Sequence, residues 1–325
     1  MPSSRDALIE LARKLNPPPL QSPPSTPSSY SNRPSLPLIP VAPSIYTCDR
    51  AFYWNSIDVS CRSTIIQLSP TTIFVHSPVG IDDFFKEAWE NLLKQGEEEL
   101  GNAASNVKKE VYVFTPNYEH LKYAPEWYDF STHSPSLTFK FFGSPGISSL
   151  LPSITPLYEI PPGYTPPTPL PSTIPFPPDQ LLPLHVDCEA NPFTGKAFFS
   201  ETVFLHVPTK TLITTDLFWN YPSQGPVNKA LKEKVGYLGD EDFGTWELAP
   251  EASVPRRSRA WKFGMDRIFA PFYDGFMVKD EGRMREIVGV LLGWEVEVIV
   301  PAHGDVVRGR ELCREVLEEH FKRWI

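Results

Sequence analysis

The chain has 325 residues, a formal net charge of −9 and four scattered cysteines. The acidic balance excludes a non-specific nucleic-acid binder, which needs a positive field to displace counterions from phosphates. The absence of paired cysteines excludes a disulfide scaffold. Since no apolar run approaches the roughly 18 residues of a membrane span, we expect a cytoplasmic protein with no membrane or nucleic-acid partner.

The first 43 residues differ in composition from the rest of the chain. Residues 4–15 carry apolar side chains at helical spacing, which predicts a short amphipathic helix. Its acids, Asp6 and Glu10, favour this interpretation over the alternative of an organellar import signal. Residues 17–43 are rich in proline and serine and predict a disordered linker, with an SH3- or WW-type protein partner as the alternative use of its prolines. We therefore divide the chain into an N-terminal segment, 1–43, and one domain, 44–325.

Short β-rich runs separated by turn residues open the domain and predict a meander of strands. These runs are residues 45–47, 52–54, 57–59, 63–68 and 72–75. Helical spacing then predicts a helix over 81–93, and Gly96 after it is a helix stop signal. Further strands are predicted at 111–114, 137–141, 198–207, 211–215 and 296–300, and helices up to about 130, at 282–292 and at 310–324. The proline-dense stretch 152–178 predicts an inserted surface loop.

Three polar residues share one situation in this pattern. His120, Asp216 and His303 each lie just past the end of an apolar strand, where site residues collect in sheet folds. Imidazole and carboxylate donors suit zinc, iron or manganese, and Glu119 could add a second carboxylate. The alternative is a hydrogen-bonded network in which Asp216 caps backbone amides and His303 bonds to it.

The hexad 115–120 resembles the HxHxDH metal motif of the metallo-β-lactamase superfamily. Thr115 and Asn117 stand in place of its first two histidines, Glu119 in place of its aspartate, and His120 keeps its last histidine. Asp216 matches the bridging aspartate of that superfamily and His303 its final histidine. The resemblance implies an α+β fold, a four-layer αββα sandwich with metals at one edge.

Within the superfamily, five phrases look like the domain of unknown function 4336 family. They are residues 62–66, 76–79, 116–120, 211–217 and 302–305. Each phrase alone is weak, but five in the right order are specific and reach from about residue 45 to 324.

The departures from the motif imply a degenerate site that holds one ion. A second ion would need a mid-domain histidine, for which His185 and His206 are poor candidates. We expect zinc, with iron or manganese as alternatives, bound by His120, Asp216, His303 and Glu119. Asp216 would serve catalysis in a metal-dependent hydrolase of a small-molecule ester, thioester, lactone or phosphoester. The alternative is a metal-free pseudoenzyme that binds partners, including protein partners through the proline-rich segments.

One arginine and one cluster of basic residues each allow two interpretations. Arg62 lies in a predicted strand and is either paired in the core or directed to a ligand anion; we favour pairing. A basic cluster with interleaved aromatics predicts a solvated helix face, with a phosphate-bearing substrate or RNA as the alternative. Its members are Arg256, Arg257, Arg259, Lys262 and Arg267.

Overall fold

The computed structural model describes residues 38–50, 53–54, 57–59, 61–100, 108–221, 256–304 and 306–325. The predicted N-terminal helix, and the predicted linker up to residue 37, lie outside the described residues. The chain divides into two compact units. Unit 1 comprises Met1–Pro116 and His120–Glu159, and unit 2 comprises Asn117–Glu119 and Ile160–Ile325.

Unit 1 contains a seven-stranded sheet and a separate two-stranded ribbon. The order in the large sheet is β1-β2-β5-β6-β7-β8-β9, and the ribbon is β3-β4. The bounds are β1 Ile39–Ala42, β2 Ile45–Arg50, β3 Tyr53–Trp54, β4 Ile57–Asp58, β5 Cys61–Ser69, β6 Thr72–His76, β7 Lys109–Thr115, β8 Leu137–Gly143 and β9 Leu157–Glu159.

The predicted meander is confirmed for β2, β5 and β6, which pair antiparallel. Two details differ from the prediction. Order begins before residue 44, because β1 pairs antiparallel with β2 and buries Leu38 and Val41. The runs at 53–54 and 57–58 leave the meander, because Arg50 pairs directly with Cys61, and Tyr53–Trp54 pairs with Ile57–Asp58.

From β6 onward the sheet is parallel, through β7 and β8 to β9. Parallel neighbours need crossover connections, and a helix lies in each of the three. Among the described residues of unit 1, these helices are Asp83–Leu100, Ala124–Thr132 and Ile147–Leu150. The buried run of β7 explains why a continuous apolar segment marks this strand in the sequence.

The helix Asp83–Leu100 continues past Gly96, which the sequence analysis took as the residue that follows its end. Gly96 is buried, and a Cβ on it would lie 2.6 Å from the carbonyl oxygen of Pro70. The glycine therefore allows the helix to approach the β5–β6 turn, and it does not end the helix.

The proline-dense stretch 152–178 is not a surface loop throughout. Leu157–Glu159 forms β9 beside β8, and Ile154, Tyr164 and Phe176 are buried. Apolar residues between the prolines supply this burial, which the proline count obscured.

Unit 2 contains a five-stranded sheet in the order β10-β11-β12-β13-β14. Its strands are β10 Leu181–His185, β11 Thr202–His206, β12 Thr211–Thr214, β13 Val298–Pro301 and β14 Val307–Arg308. The predicted hairpin is confirmed as β11 and β12, joined by a 3₁₀ turn at Val207–Thr209. Strand β10, which the sequence analysis did not predict, pairs antiparallel with β11.

The helices of unit 2 pack against this sheet around one buried apolar cluster. They are a helical stretch Arg256–Met277 with two π-helical turns at Met265–Phe269 and Tyr273–Met277, then Glu281–Gly293 and Arg310–His320. Asp280 caps the second helix by accepting a hydrogen bond from the backbone of Arg283. Two mixed sheets with helices confirm the predicted α+β class. Among the described residues, none of the helices combines the length and apolarity required to cross a bilayer.

Candidate metal centre

Parallel pairing in unit 2 brings two of the predicted site residues together. Thr214 of β12 lies opposite Pro301 of β13, so Asp216 and His303 each follow two residues later at the same sheet edge. Asp216 Oδ1 lies 3.4 Å from His303 Nε2. His303 is buried and Asp216 is half-buried, so water screens this pair only weakly.

Glu201 binds the backbone segment that carries Asp216. Its carboxylate accepts hydrogen bonds from the backbone amides of Thr215, Asp216 and Leu217 at 2.6–2.7 Å. Burial and the neighbouring charge of Asp216 raise the pKa of Glu201, while the amides favour its charged form. Sequence reasoning missed Glu201; the available signal was an acidic residue directly before the fully buried strand β11.

Asn117 orients the side chain of Asp216. Its amide nitrogen donates to Asp216 Oδ2 at 2.6 Å and to the hydroxyl of Thr215 at 2.9 Å. Its side-chain carbonyl oxygen accepts from the backbone amide of Glu119 at 3.0 Å and so closes a turn. Asn117 is fully buried, whereas the side chain of Glu119 is exposed.

Thr115 and His120 of the hexad belong to unit 1. Thr115 ends β7, and its carbonyl accepts from the backbone amide of Ser144 at 3.1 Å. His120 is buried, and its Nδ1 lies 2.8 Å from the hydroxyl of Ser77. Ser77 follows β6 with a left-handed backbone, φ 54°. This hydrogen bond sets the orientation of the imidazole, a support that the sequence did not predict.

The loop that carries His303 contacts the segment after Asp216. The backbone amide of Asn220 donates to the carbonyl of His303 at 3.0 Å. The ring of Tyr221 stacks on the imidazole of His303, with centroids 6.2 Å apart and planes 29° from parallel. Tyr221 is buried and was not singled out from the sequence.

The two weak candidates for a mid-domain ligand are bonded to their own surroundings. His185 accepts from the backbone amide of Gly163 at Nδ1 and lies 3.0 Å from the Ser200 hydroxyl at Nε2. His206 Nδ1 lies 2.7 Å from the Thr209 hydroxyl. Burial lowers the pKa of both imidazoles to about 4. Both rings are therefore neutral at physiological pH, and His185 uses both of its nitrogens within the protein.

The other cations behave as structural groups where they are described. Arg62 pairs with Asp49 at 2.7 Å in a buried contact between β5 and β2, so the predicted pairing is confirmed. In the basic cluster, Lys262 pairs with Asp266 at 2.8 Å and Arg267 is exposed. These contacts agree with a solvated helix face; the side chains of residues 256–259 lie outside the described residues.

The donor geometry of unit 2 fits a metal. Two donors bound at about 2.0–2.1 Å to one tetrahedral zinc lie roughly 3.3 Å apart, and the Asp216–His303 separation is 3.4 Å. Metal-binding carboxylates are usually oriented by a further hydrogen bond, and Asn117 supplies one to the other oxygen of Asp216. The unit therefore presents an imidazole and a carboxylate as a His/Asp group that can hold a metal.

No protein-family model matches the chain, and no curated protein matches it. Among solved structures, it is similar to the DIM-1 metallo-β-lactamase, with 12% identity and a TM-score of 0.43 over 88% of this chain and 98% of that chain. It is similar to the flavodiiron protein of Giardia intestinalis, with 13% identity and a TM-score of 0.48 over 88% of this chain and 59% of that one. For a metallo-β-lactamase from Pontibacter korlensis, identity is 10% and the TM-score 0.37, over 89% and 99%. The likeness concerns the fold alone. Because all three TM-scores lie below 0.5, the function proposed below rests on the chain's own residues.

Proposed function

We propose that this protein is a metal-dependent hydrolase of metallo-β-lactamase type with a single metal ion. The observation that carries the proposal is the Asp216–His303 pair at two parallel strand ends, 3.4 Å apart and half-buried or buried. We assign His120 and Glu119 to the same centre from their places in the hexad. The five phrases of the sequence support a finer assignment, to the domain of unknown function 4336 family.

The donor set suits zinc, with iron or manganese as alternatives. When bound, such a cation supplies Lewis acidity and lowers the pKa of a water molecule, so that water becomes a nucleophile near neutral pH. The substrate class that we propose is a small ester, thioester, lactone or phosphoester. All four have an electrophilic carbon or phosphorus that water can attack.

The protein's own residues keep Asp216 in position for this chemistry. Glu201 fixes its backbone through three amides, and Asn117 restrains one carboxylate oxygen. The other oxygen faces His303 Nε2. Asp216 is therefore the residue to orient the attacking water, because its carboxylate is held in place before substrate arrives.

Metal stoichiometry tests the proposal. Purified without chelators and measured by inductively coupled plasma mass spectrometry, the wild-type protein should hold about one zinc, iron or manganese ion per chain. The ion should be lost in His303→Ala, Asp216→Ala and His120→Ala. His133→Ala is the matched control, because His133 is exposed and bonds to its own helix end at Thr132 and Asp129; it should retain the ion.

A second candidate function is a metal-free binding protein built on the same fold. It is favoured by one observation: Asn117 and His303 already surround the carboxylate of Asp216, so the network can persist without an ion. Absence of metal after reconstitution would support this candidate and overturn the hydrolase. In either case we propose a cytoplasmic location, no nucleic-acid or membrane partner, and the proline-rich segments as the contact for a protein partner.

A further inference from the structure

The segment that follows Asp216 returns alongside the loop that carries His303. Residues Asn220 and Gly304 form a parallel bridge, and the amide of Asn220 donates to the carbonyl of His303 at 3.0 Å. This pairing joins two chain segments more than eighty positions apart in sequence. It is a contact between backbone groups, so it holds the two loops together independently of their side chains.

Gly304 permits this close approach. Its φ is +93°, in the region that favours glycine, and a Cβ on it would lie 2.0 Å from the carbonyl oxygen of Asn220. No other residue can occupy this position without moving one of the two segments. The clamp formed by Asn220 and Gly304 therefore depends on the glycine.

Tyr221 is the first side chain that the clamp places against the site. Its ring lies nearly parallel to the imidazole of His303, with centroids 6.2 Å apart. On Tyr221 the indole of Trp261 packs edge-on, at 6.2 Å and 84°. Tyr221 is only 6% exposed, so its ring is held by backbone pairing and by packing together.

We propose that Tyr221 is a positioning residue, which fixes the ring plane of His303 and so directs Nε2 toward Asp216. An aromatic ring suits this role, because it offers a broad rigid face at low cost in side-chain entropy. The phenol hydroxyl is not required for it. The metal-related part of this inference rests on the proposed function, whereas the orientation of His303 does not.

The first measurement needs no metal. In protein with isotope-labelled histidine, the ring protons of His303 should show a ring-current shift from Tyr221, assigned by comparison with His303→Gln. Tyr221→Phe should keep the shift, and Tyr221→Leu should lose it and broaden the signals as the imidazole samples other orientations. An unchanged His303 spectrum in Tyr221→Leu would overturn the proposal.

The second measurement is the affinity for Co²⁺ alone, followed by its visible absorption. Residues that orient a ligand typically contribute tenfold to a hundredfold in metal affinity, so Tyr221→Leu should weaken binding by roughly that factor, and Tyr221→Phe by less than about twofold. An equal loss in Tyr221→Phe would assign the effect to the hydroxyl and overturn the positioning role. If Tyr221→Leu does not fold by circular dichroism, Tyr221→Met replaces it.

The histidine spectra and the Co²⁺ affinity together distinguish the positioning role of Tyr221 from the proposed hydrolase function. Wild-type protein that binds no Co²⁺ would defeat the hydrolase, but the histidine spectra would still decide whether Tyr221 orients His303. Conversely, Co²⁺ binding that Tyr221→Leu leaves intact would defeat the positioning role and leave the metal centre standing.

Discussion

At the scale of single residues, the site depends on how Asp216 is supported as much as on its donors. Asn117 occupies a position where the metallo-β-lactamase motif has a histidine, and an amide is a poor metal ligand. In this chain the amide orients Asp216 and closes a turn at Glu119. Where the resemblance to that motif would predict an imidazole, this chain therefore has a group that restrains the carboxylate of Asp216.

Glu201 gives the sharpest residue-scale prediction. Glu201→Gln should lower the free energy of unfolding by about 1–3 kcal/mol, because the amide nitrogen of glutamine would face backbone donors and leave a buried group unsatisfied. Urea denaturation at neutral pH measures this. The matched control is Glu297→Gln, an exposed glutamate paired with Arg310, which should change stability by no more than about 1 kcal/mol. Equal effects in the two variants would contradict the assigned role of Glu201.

At the scale of secondary structure, two helical glycines differ in their surroundings. Gly96 lies in a buried helix interior against the carbonyl of Pro70, whereas Gly289 lies on the exposed side of the helix Glu281–Gly293 with nothing within 4 Å of a Cβ. In the sequence both are single glycines within or beside helical patterns. Only their tertiary surroundings separate them.

This difference predicts opposite signs for one substitution. Gly96→Ala should destabilise the protein by about 1–3 kcal/mol, since its Cβ would displace a backbone carbonyl. Gly289→Ala should stabilise it by up to about 1 kcal/mol, because alanine is the better helix former. Urea unfolding of both variants beside the wild type is the measurement. Stabilisation by Gly96→Ala would contradict this prediction and show that the β5–β6 turn moves at little energetic cost.

At the scale of the whole molecule, three histidines contribute to the response to acid. Desolvation lowers the pKa of His185, His206 and His320 to about 4, from an ordinary value of 6.5. Between these two values, each of these histidines binds protons more readily in the unfolded chain than in the folded one. Their contribution to stability is full above pH 6.5 and is lost as the pH falls toward 4.

Urea titrations at several pH values between 7 and 4 test this. As the pH falls across this window, the free energy of unfolding of His206→Gln should change less unfavourably than that of the wild type, by on the order of 1–2 kcal/mol. His133→Gln is the control, since His133 is exposed. A decrease that is identical in wild type and His206→Gln would exclude His206 as a contributor.

Local pattern was sufficient for much of the fold. Strand β7 was predicted from a continuous apolar run, because a strand buried on both faces needs apolar residues throughout. The helix Arg310–His320 was predicted from the period of its apolar residues, because a helix must place such residues on the side that it buries. Asp216 and His303 were predicted as site residues because each follows an apolar strand. The structure places these two side chains 3.4 Å apart, and a metal centre formed by Asp216, His303, His120 and Glu119 stays a prediction.

Other features were decided only by the tertiary structure. The ribbon at 53–58 leaves the meander because Arg50 meets Cys61, and β9 forms inside a proline-dense stretch because β8 offers it a free edge. Asn117 contacts a carboxylate 99 positions away, and Gly304 adjoins Asn220. The physical reason is common to all of them. Periodicity records which side of an element is buried, whereas the partner of a buried polar group or a close backbone approach depends on which distant segments meet.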